Sequence, residues 1–450
     1  MGRMSNRYAG DGHRHSAVCA LTVCDYRSGG TGEGWKPAPH GSLAWKKRYV
    51  GQASCLPPFV VAVPPRKDPP FVHLQSLTLE NFRCYERTEL EFRPGLNVVL
   101  GPNASGKTTI LEAVYLLATT TSPRSGPSKA MVRHGETWGR VTGRFMVNDR
   151  PLTMRITLGD PRGERSGAKT IEIDGREVDS ARQAIGRVQA ILFWIGALDV
   201  VKGSPSDRRR FMNTAIGQMS ARYLDDLTRY RRALRQRNEV LKGMRGRDGD
   251  GRMLAPWTHS LVESGAPITA DRSDYLAALA PEAASLHERL GVGSERLAVR
   301  YDPSIDVAAD SEEIADEFYR RLEDTHQHEL QRGSTRVGPH RDDIVLEVDG
   351  VDLRRFGSQG QQRTAALSLK LAQARVALTR TDLQPILLLD DCLSELDVSR
   401  GAAMLDLSRD HEQMIVTSAC CPEHLADRLE NAHLIDTGGE TAACECEEEV

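Results

Sequence analysis

Lys107 closes the stretch of this sequence best suited to chemistry. The loop Gly101-Pro102-Asn103-Ala104-Ser105-Gly106-Lys107-Thr108 fits G-x-x-x-x-G-K-[ST], with Thr109 following. Leu96-Asn97-Val98-Val99-Leu100 before it reads as a strand, and the residues after it as a helix. In such a loop, successive backbone N–H groups and a helix N-terminus point at an anion. Glycine at 101 and 106 lets the backbone turn tightly and approach phosphate closely. Lys107 is placed to bridge β- and γ-phosphates, and Thr108 to put a hydroxyl on Mg²⁺. The expected ligands are therefore a nucleoside triphosphate and Mg²⁺.

A second chemical stretch is Ile386-Leu387-Leu388-Leu389-Asp390-Asp391. The unbroken apolar run predicts a central parallel strand, and it ends in two carboxylates. Asp390 is placed to hold Mg²⁺ through water, and Asp391 to orient or deprotonate an attacking water. Lys107 and Asp390 lie 283 positions apart. A small P-loop enzyme brings its acidic strand much closer, so a domain is inserted between them. A third stretch, Phe356-Gly357-Ser358-Gln359-Gly360-Gln361-Gln362-Arg363, precedes a helical run. The Ser358 hydroxyl, the Gly360 N–H and the helix dipole make another anion site.

The elements that must position these groups follow from periodicity. Leu74, Leu77 and Leu79 predict an early strand, and Leu90 and Phe92 alternate with charge. Asn81-Phe82-Arg83 falls at the turn between them, and Pro94-Gly95 makes the next turn. Residues 141–175 alternate, and Asn148-Asp149 and Asp174-Gly175 signal hairpins. Ile110, Leu111, Val114, Leu117 and Ala118 recur at helical spacing. Met414-Ile415-Val416-Thr417-Ser418 predicts a further strand. In the middle, Ser206 or Asp207 is expected to cap a helix. Segment 221–242 reads as a basic helix carrying Arg222, Arg229, Arg231, Arg232, Arg235, Arg237 and Lys242, with a stripe of Leu224, Leu227, Leu234 and Leu241. Its charges are either a solvated face or a phosphate-contacting arm. On the second reading Arg231, Arg232 and Arg235 touch DNA. Residues 257–290 read as helix broken at Pro267 and Pro281.

Composition bounds the rest. A chain of 450 residues suggests about two to three domains. A net charge of −3 confines any nucleic-acid surface to a local patch. No apolar run is long enough to span a bilayer, and the N-terminus has no signal-peptide core, which argues for a cytoplasmic protein. The nine cysteines include no C-x-x-C pair, and reduced thiols are expected. Residues 1–71 are rich in Gly, Pro, Arg and Ser with weak periodicity and read as a disordered leader. Gly30-Thr31-Gly32-Glu33-Gly34 lacks the flanking strand and helix of a nucleotide loop. Val72 is a candidate for the true start, as a GTG codon. Residues 440–450 are acidic and aperiodic and read as a tail. His340-Arg341-Asp342 has the form of a kinase catalytic triplet, but Glu347 stands where that loop needs a metal-binding Asn.

Leu77-Thr78-Leu79-Glu80-Asn81-Phe82-Arg83, then Pro94-Gly95-Leu96-Asn97 and the P-loop, resembles the RecF family of the ABC/SMC ATPase class. Two further RecF-like blocks are Val200–Phe211 and Val337–Asp343, and the resemblance runs from about 72 to about 420. It implies an α/β ABC/SMC-type P-loop head of mixed β-sheet layers with helices, and an inserted, mainly helical arm. The implied organisation is a head half at 72–200, an arm at 201–333, a second head half at 334–438 and a tail at 439–450. In that family Arg83 contacts the nucleotide. Ser358, Gly360 and Gln361 belong to a signature motif facing the γ-phosphate held by the other protomer of an ATP-dependent homodimer. Ser394-Glu395-Leu396-Asp397 resembles the D-loop. Asp391 occupies the usual place of a catalytic Glu, one methylene shorter, which implies slow hydrolysis suited to a switch. The implied partners are duplex and gapped or single-stranded DNA and RecR, with RecO and RecA further along. The sequence departs from the family at Trp194-Ile195-Gly196, where a Ser-Pro-acidic stretch is usual, and at Thr258-His259 after Trp257. The alternatives are a transporter's nucleotide-binding subunit, disfavoured by the long insert and the absence of a switch His near Ser418, and a nuclease fused to such a head. For the nuclease, the chain is too short after Ser418.

Overall fold

The computed structural model describes residues 71–124, 128–160, 169–194, 198–244, 251–291, 295–307, 310–392, 398–408, 411–419 and 431–437. Among them, in chain order, are β1 (Val72–Phe82), β2 (Tyr85–Glu91), β3 (Gly95–Leu100), α1 (Lys107–Thr119), β4 (Trp138–Val147), β5 (Arg150–Gly159), β6 (Lys169–Ile173), β7 (Arg176–Glu177) and β8 (Ala190–Phe193). The helical middle holds α2 (Asp199–Lys202), α3 (Pro205–Met219), α4 (Ala221–Met244), α5 (Ala255–Leu290), β9 (Leu297–Asp302) and α6 (Ser311–Arg332). Then come β10 (Asp343–Val348), β11 (Val351–Asp352), α7 (Leu353–Phe356), α8 (Gln359–Thr381), β12 (Ile386–Asp390), α9 (Val398–Ser408), β13 (Gln413–Ser418) and β14 (His433–Asp436). The leader up to residue 70, Ile195-Gly196, the D-loop-like Ser394–Asp397 and the acidic tail lie outside the described residues.

The described strands form three sheets: a small antiparallel one in the order β11-β10-β9, and two larger ones that differ in apolar pattern. The alternating segments form an antiparallel sheet in the order β2-β1-β4-β5-β6-β7. Its tight turns sit where the sequence signalled them: Asn148 and Asp149, and Asp174 and Gly175, all have positive φ, as a two-residue hairpin loop requires. The unbroken apolar segments form a parallel sheet in the order β14-β3-β13-β12-β8. Such strands are apolar throughout because both faces are covered. Ile386 and Leu388 face the core shared with the antiparallel sheet and α1, while Leu387 and Leu389 face the core built by the helical middle and α8. Gln413, fully buried, ties the central strand of the parallel sheet to β1 of the antiparallel sheet. Its Oε1 accepts from the Leu74 N–H at 2.7 Å, and its Nε2 donates to the Leu74 carbonyl at 2.8 Å.

The helical middle departs from its sequence reading in three places. The cap of α3 is Ser204, not Ser206 or Asp207. Pro205 takes the first helical position and Asp207 reaches back to the Ser204 N–H at 2.9 Å, completing a capping box. Pro267 and Pro281 do not break the helix: α5 runs 36 residues through both. Each proline deletes one backbone donor, but α5 packs against α4, α6, α8 and β9, and that burial outweighs the local penalty. Arg237 is not part of a charged surface. It is 2% exposed, donating to Glu329 at 2.7 Å, Thr335 at 2.8 Å and Thr258 at 3.1 Å. The middle is also continuous with the C-terminal part of the chain, because β9 pairs antiparallel with β10 across the expected boundary at residue 333.

The Asp342 carboxylate is a fully buried polar junction of this half. It accepts from the Arg272 guanidinium at 2.7 Å, from the Tyr301 hydroxyl and from the Ser304 N–H at 3.0 Å, and the Arg272 and Asp342 side chains are buried. Asp342→Ala would strand a buried guanidinium, and about 3–5 kcal/mol of stability should be lost. Arg235→Ala, at an exposed position, should change stability by no more than about 0.5 kcal/mol. Urea unfolding midpoints of the two variants check the contrast, and equal midpoints would contradict it.

Candidate nucleotide site

The parallel sheet delivers its chemistry from the C-terminal ends of its strands, where ligands of open α/β sheets bind. From β3 the chain enters the Gly101–Lys107 loop, from β12 it reaches Asp390 and Asp391, and from β13 it reaches Thr417. Gly106 has φ +98°, and a Cβ there would lie 2.7 Å from the Tyr85 hydroxyl and 2.8 Å from the Cys84 sulfur. Only glycine fits. The Lys107 ammonium is buried and donates to its own loop, to the Gly101 carbonyl at 2.5 Å and the Pro102 carbonyl at 2.8 Å.

Asp390 is held by two hydroxyls on one oxygen. Thr108 Oγ1 donates to its Oδ1 at 2.8 Å and Thr417 Oγ1 at 2.9 Å. Thr417 Oγ1 in turn accepts from the Asp391 N–H at 3.0 Å, and Asp391 sits in the left-handed region at φ +50°. Asn and Asp tolerate that conformation better than most residues. A cavity of about 570 Å³ brings together Arg83, Asn103, Ala104, Gly106, Lys107, Thr108, Thr109, Asp390 and Asp391, along with Cys84, Arg124 and Thr417.

Arg83 stands at the cavity wall with its guanidinium already committed. It donates to Glu112 at 3.0 and 2.6 Å and to the Ala130 carbonyl at 2.6 Å. Glu112 is 1% exposed, and it also accepts from Ser122 at 2.5 Å. Thr417, Glu112 and Arg124 are site groups that sequence reasoning missed. Glu112 carried a signal, a lone Glu at the centre of an apolar helix, whereas Thr417 did not stand out beside Gln413 and Ser418, the other polar residues of β13.

Ser358, Gly360 and Gln361 are not among the residues of this cavity. They start α8, where a capping box joins the Gln361 N–H to Ser358 Oγ at 3.2 Å and the Ser358 N–H to Gln361 Oε1 at 2.8 Å. Ser358 faces solvent. Arg231, Arg232 and Arg235 lie on α4, exposed, and make no hydrogen bond or ion pair among the described residues. Arg222, Arg229 and Lys242 of the same helix do, with Asp271, Asp226 and Glu239. Asp342 of the kinase-like triplet is spent on Arg272, far in role from any phosphate. His340 beside it is held neutral: burial brings its pKa down to about 4, and its ring nitrogens meet the Tyr230 hydroxyl at 2.6 Å and the Thr335 carbonyl at 3.2 Å.

The fold and this loop–carboxylate arrangement define an ABC/SMC-type ATPase head. The family described as RecF/RecN/SMC N terminal domain matches residues 73–423. The curated protein "DNA replication and repair protein RecF" of Geobacillus thermodenitrificans is 40% identical over 348 residues, covering 77% of this chain and 92% of that protein. Its counterpart in Halalkalibacterium halodurans is 37% identical over 349 residues, with the same coverage. A solved structure described as the recombination mediator protein RecF with ATP in the RecFOR pathway is 29% identical and superposes with a TM-score of 0.72, over 78% of this chain and 93% of that one. The chain belongs to the RecF family of DNA replication and repair proteins.

Cys84 offers a direct probe of the cavity. It is exposed, and its sulfur is 3.9 Å from Thr109 Oγ1. ATP and Mg²⁺ at about ten times the dissociation constant should slow its alkylation about tenfold, because only the unliganded fraction reacts. Peptide mass spectrometry after N-ethylmaleimide treatment reads the rate, and an unchanged rate would place the nucleotide elsewhere.

Proposed function

We propose that this protein is an ATP-gated DNA clamp of recombinational repair. ATP and Mg²⁺ occupy the cavity at Lys107: the loop amides and Lys107 cradle the phosphates, Thr108 and Asp390 hold the metal ion, and Arg83 lies beside the nucleotide. The residues present fit that group, since two hydroxyls and a carboxylate converge in a cavity also lined by Asn103, Ala104, Gly106 and Lys107 of the loop. Mg²⁺ would supply charge neutralisation of the phosphates. Asp391 positions the attacking water, and its short side chain makes turnover slow.

One observation carries the reading. The signature helix start at Ser358 is exposed and contributes nothing to the cavity of its own chain. A second copy therefore completes each site, with Ser358, Gly360 and Gln361 facing the γ-phosphate across a head-to-head dimer. The head comprises residues 72–200 and 334–438, and the helical middle at 201–333 is the arm that meets DNA. Arg231, Arg232 and Arg235 contact backbone phosphates there, which positions the clamp without reading sequence. As in the RecFOR pathway, RecR is the partner, with RecO and RecA downstream at gapped DNA. The protein works in the cytoplasm, and no helix among the described residues is long and apolar enough to cross a membrane. The transporter-subunit reading is not favoured, given curated RecF relatives matched over nearly their whole length.

The dimer is tested by gel filtration with a non-hydrolysable ATP analogue and Mg²⁺. The wild-type chain should elute as a dimer, and Lys107→Met and Ser358→Arg should each leave it monomeric. A wild-type chain that stays monomeric, or two variants that still dimerise, would refute the shared site. For the arm, reversing Arg231, Arg232 and Arg235 to Glu should weaken duplex binding and lower the salt slope by about two to three, since each lost phosphate contact is worth about 0.9. An unchanged slope would return these residues to a solvated face.

A further inference from the structure

A second cavity, of about 620 Å³, is close in size to the one at Lys107. It opens where the two hydrophobic cores face each other. Tyr115 and Trp194 pack on the core of the antiparallel sheet, and Phe211 and Tyr230 belong to the core of the helical side. Five cations and two carboxylates line it. Three of the cations are engaged: Arg272 with Asp342, Arg209 with the Asp342 carbonyl at 2.9 Å, and Arg210 with Asp207 at 3.2 Å. The other two, Arg231 and Lys370, make no hydrogen bond or ion pair among the described residues. The Lys370 ammonium instead sits 5.3 Å above the centre of the Phe211 ring. One helical turn further along α8, Gln373 is 5% exposed, lines the same cavity, and leaves its Oε1 without a hydrogen-bond partner among the described residues. Buried side-chain acceptors are rarely left so without a reason.

We propose that this cavity is a binding site for a small phosphorylated ligand of the nucleotide class. Its phosphates lie against Lys370 and Arg231, its heterocycle meets the Gln373 amide, and Phe211 and Trp194 supply the apolar wall. The volume is that of a pocket for a single nucleotide-sized molecule and is too small to admit a duplex. Desolvation, with Arg210 adding to it, pulls the Lys370 pKa down to about 8, as befits a cation held without a counter-charge. A phosphate beside it would restore the full charge. The site shares no lining residue with the Lys107 cavity, so it stands or falls separately from ATP binding there. Arg231, assigned above to DNA, is at the wall of this cavity, whereas Arg232 and Arg235 are not.

Equilibrium dialysis of the full chain against labelled ADP, taken into the millimolar range, tests the proposal. The expected result is a second class of saturable site beyond the one at Lys107. Inorganic pyrophosphate should displace it, and adenosine should not. Lys370→Met, which keeps the volume and deletes the charge, should remove this class and leave the Lys107 class intact. Arg231→Gln, at an exposed position that folding tolerates, should weaken it about tenfold and decides the matter if Lys370→Met melts early by circular dichroism. A single class of site in the wild-type chain would overturn the proposal. So would a second class that neither variant weakens, or one that pyrophosphate does not displace.

Discussion

One carboxylate oxygen joins the two halves of this molecule. Asp390 Oδ1 takes hydroxyl donors from Thr108, at the start of α1, and from Thr417, at the end of β13. Thr108 lies 282 positions from Asp390 and Thr417 only 27, yet all three meet because β3, β13 and β12 are neighbours in one parallel sheet. A parallel sheet requires long crossovers, and the helical middle is inserted in one of them. Strands β3 and β12 are stitched together by β13 between them, so the phosphate loop and the acidic strand end at one edge. Without that register the loop would still be a turn with a lysine, but it would face no carboxylate.

The insertion explains how the cores are arranged. Each buried strand of the parallel sheet splits its side chains between two cores, one against the antiparallel sheet and α1, the other against the helical middle and α8. The first core is closed off by Gln413, whose amide pairs with the backbone of Leu74 as another strand would. The second core contains the charged junctions, Arg272 with Asp342 and Arg237 with Glu329. Buried pairs of this kind add little net stability but are costly to break. Here each joins elements distant in sequence, α5 to the segment before β10 and α4 to α6, and so fixes how the middle sits on β10 and its neighbours.

The site's backbone was legible because its signals are local. A glycine-bounded loop between strand and helix, an apolar run ending in two aspartates, and Asn-Asp and Asp-Gly turns each carry their meaning in a handful of consecutive residues. What escaped was tertiary. Pro267 and Pro281 predict breaks only if the helix must stand alone, and α5 is packed against α4, α6, α8, β9 and further elements. Arg237 lies in a run of arginines and differs from Arg235 only in facing Glu329, which is 92 positions away. Ser204 is hard to pick out as a cap because Ser206 and Asp207 are equally good cap residues. The choice turns on Pro205, which is suited to the first helical position. Thr417 had no pattern at all, since one hydroxyl in a buried strand reads as a tolerated substitution until its partner is in view.

Glu112 shows why the missed residues matter for chemistry. A buried carboxylate at the centre of an apolar helix is costly unless its oxygens are fully engaged. Arg83 engages both oxygens, Ser122 donates to Oε1, and the Arg124 guanidinium lies 3.9 Å away. Arg83 and Arg124 line the Lys107 cavity, while Ser122 lines the second one. The arginine at the wall of the Lys107 cavity is therefore positioned by a residue that also bonds Ser122, just beyond the C-terminal end of α1. With φ +53° and three hydrogen-bonded guanidinium nitrogens, Arg83 has little freedom to adjust without moving Glu112. Withdrawing the Thr119–Pro123 segment would cost Glu112 the Ser122 bond on Oε1 and leave its two-point pairing with Arg83 in place. One lining residue of each cavity, Arg83 and Ser122, thus bonds the same buried carboxylate, a side chain that reads in the sequence as one misplaced charge.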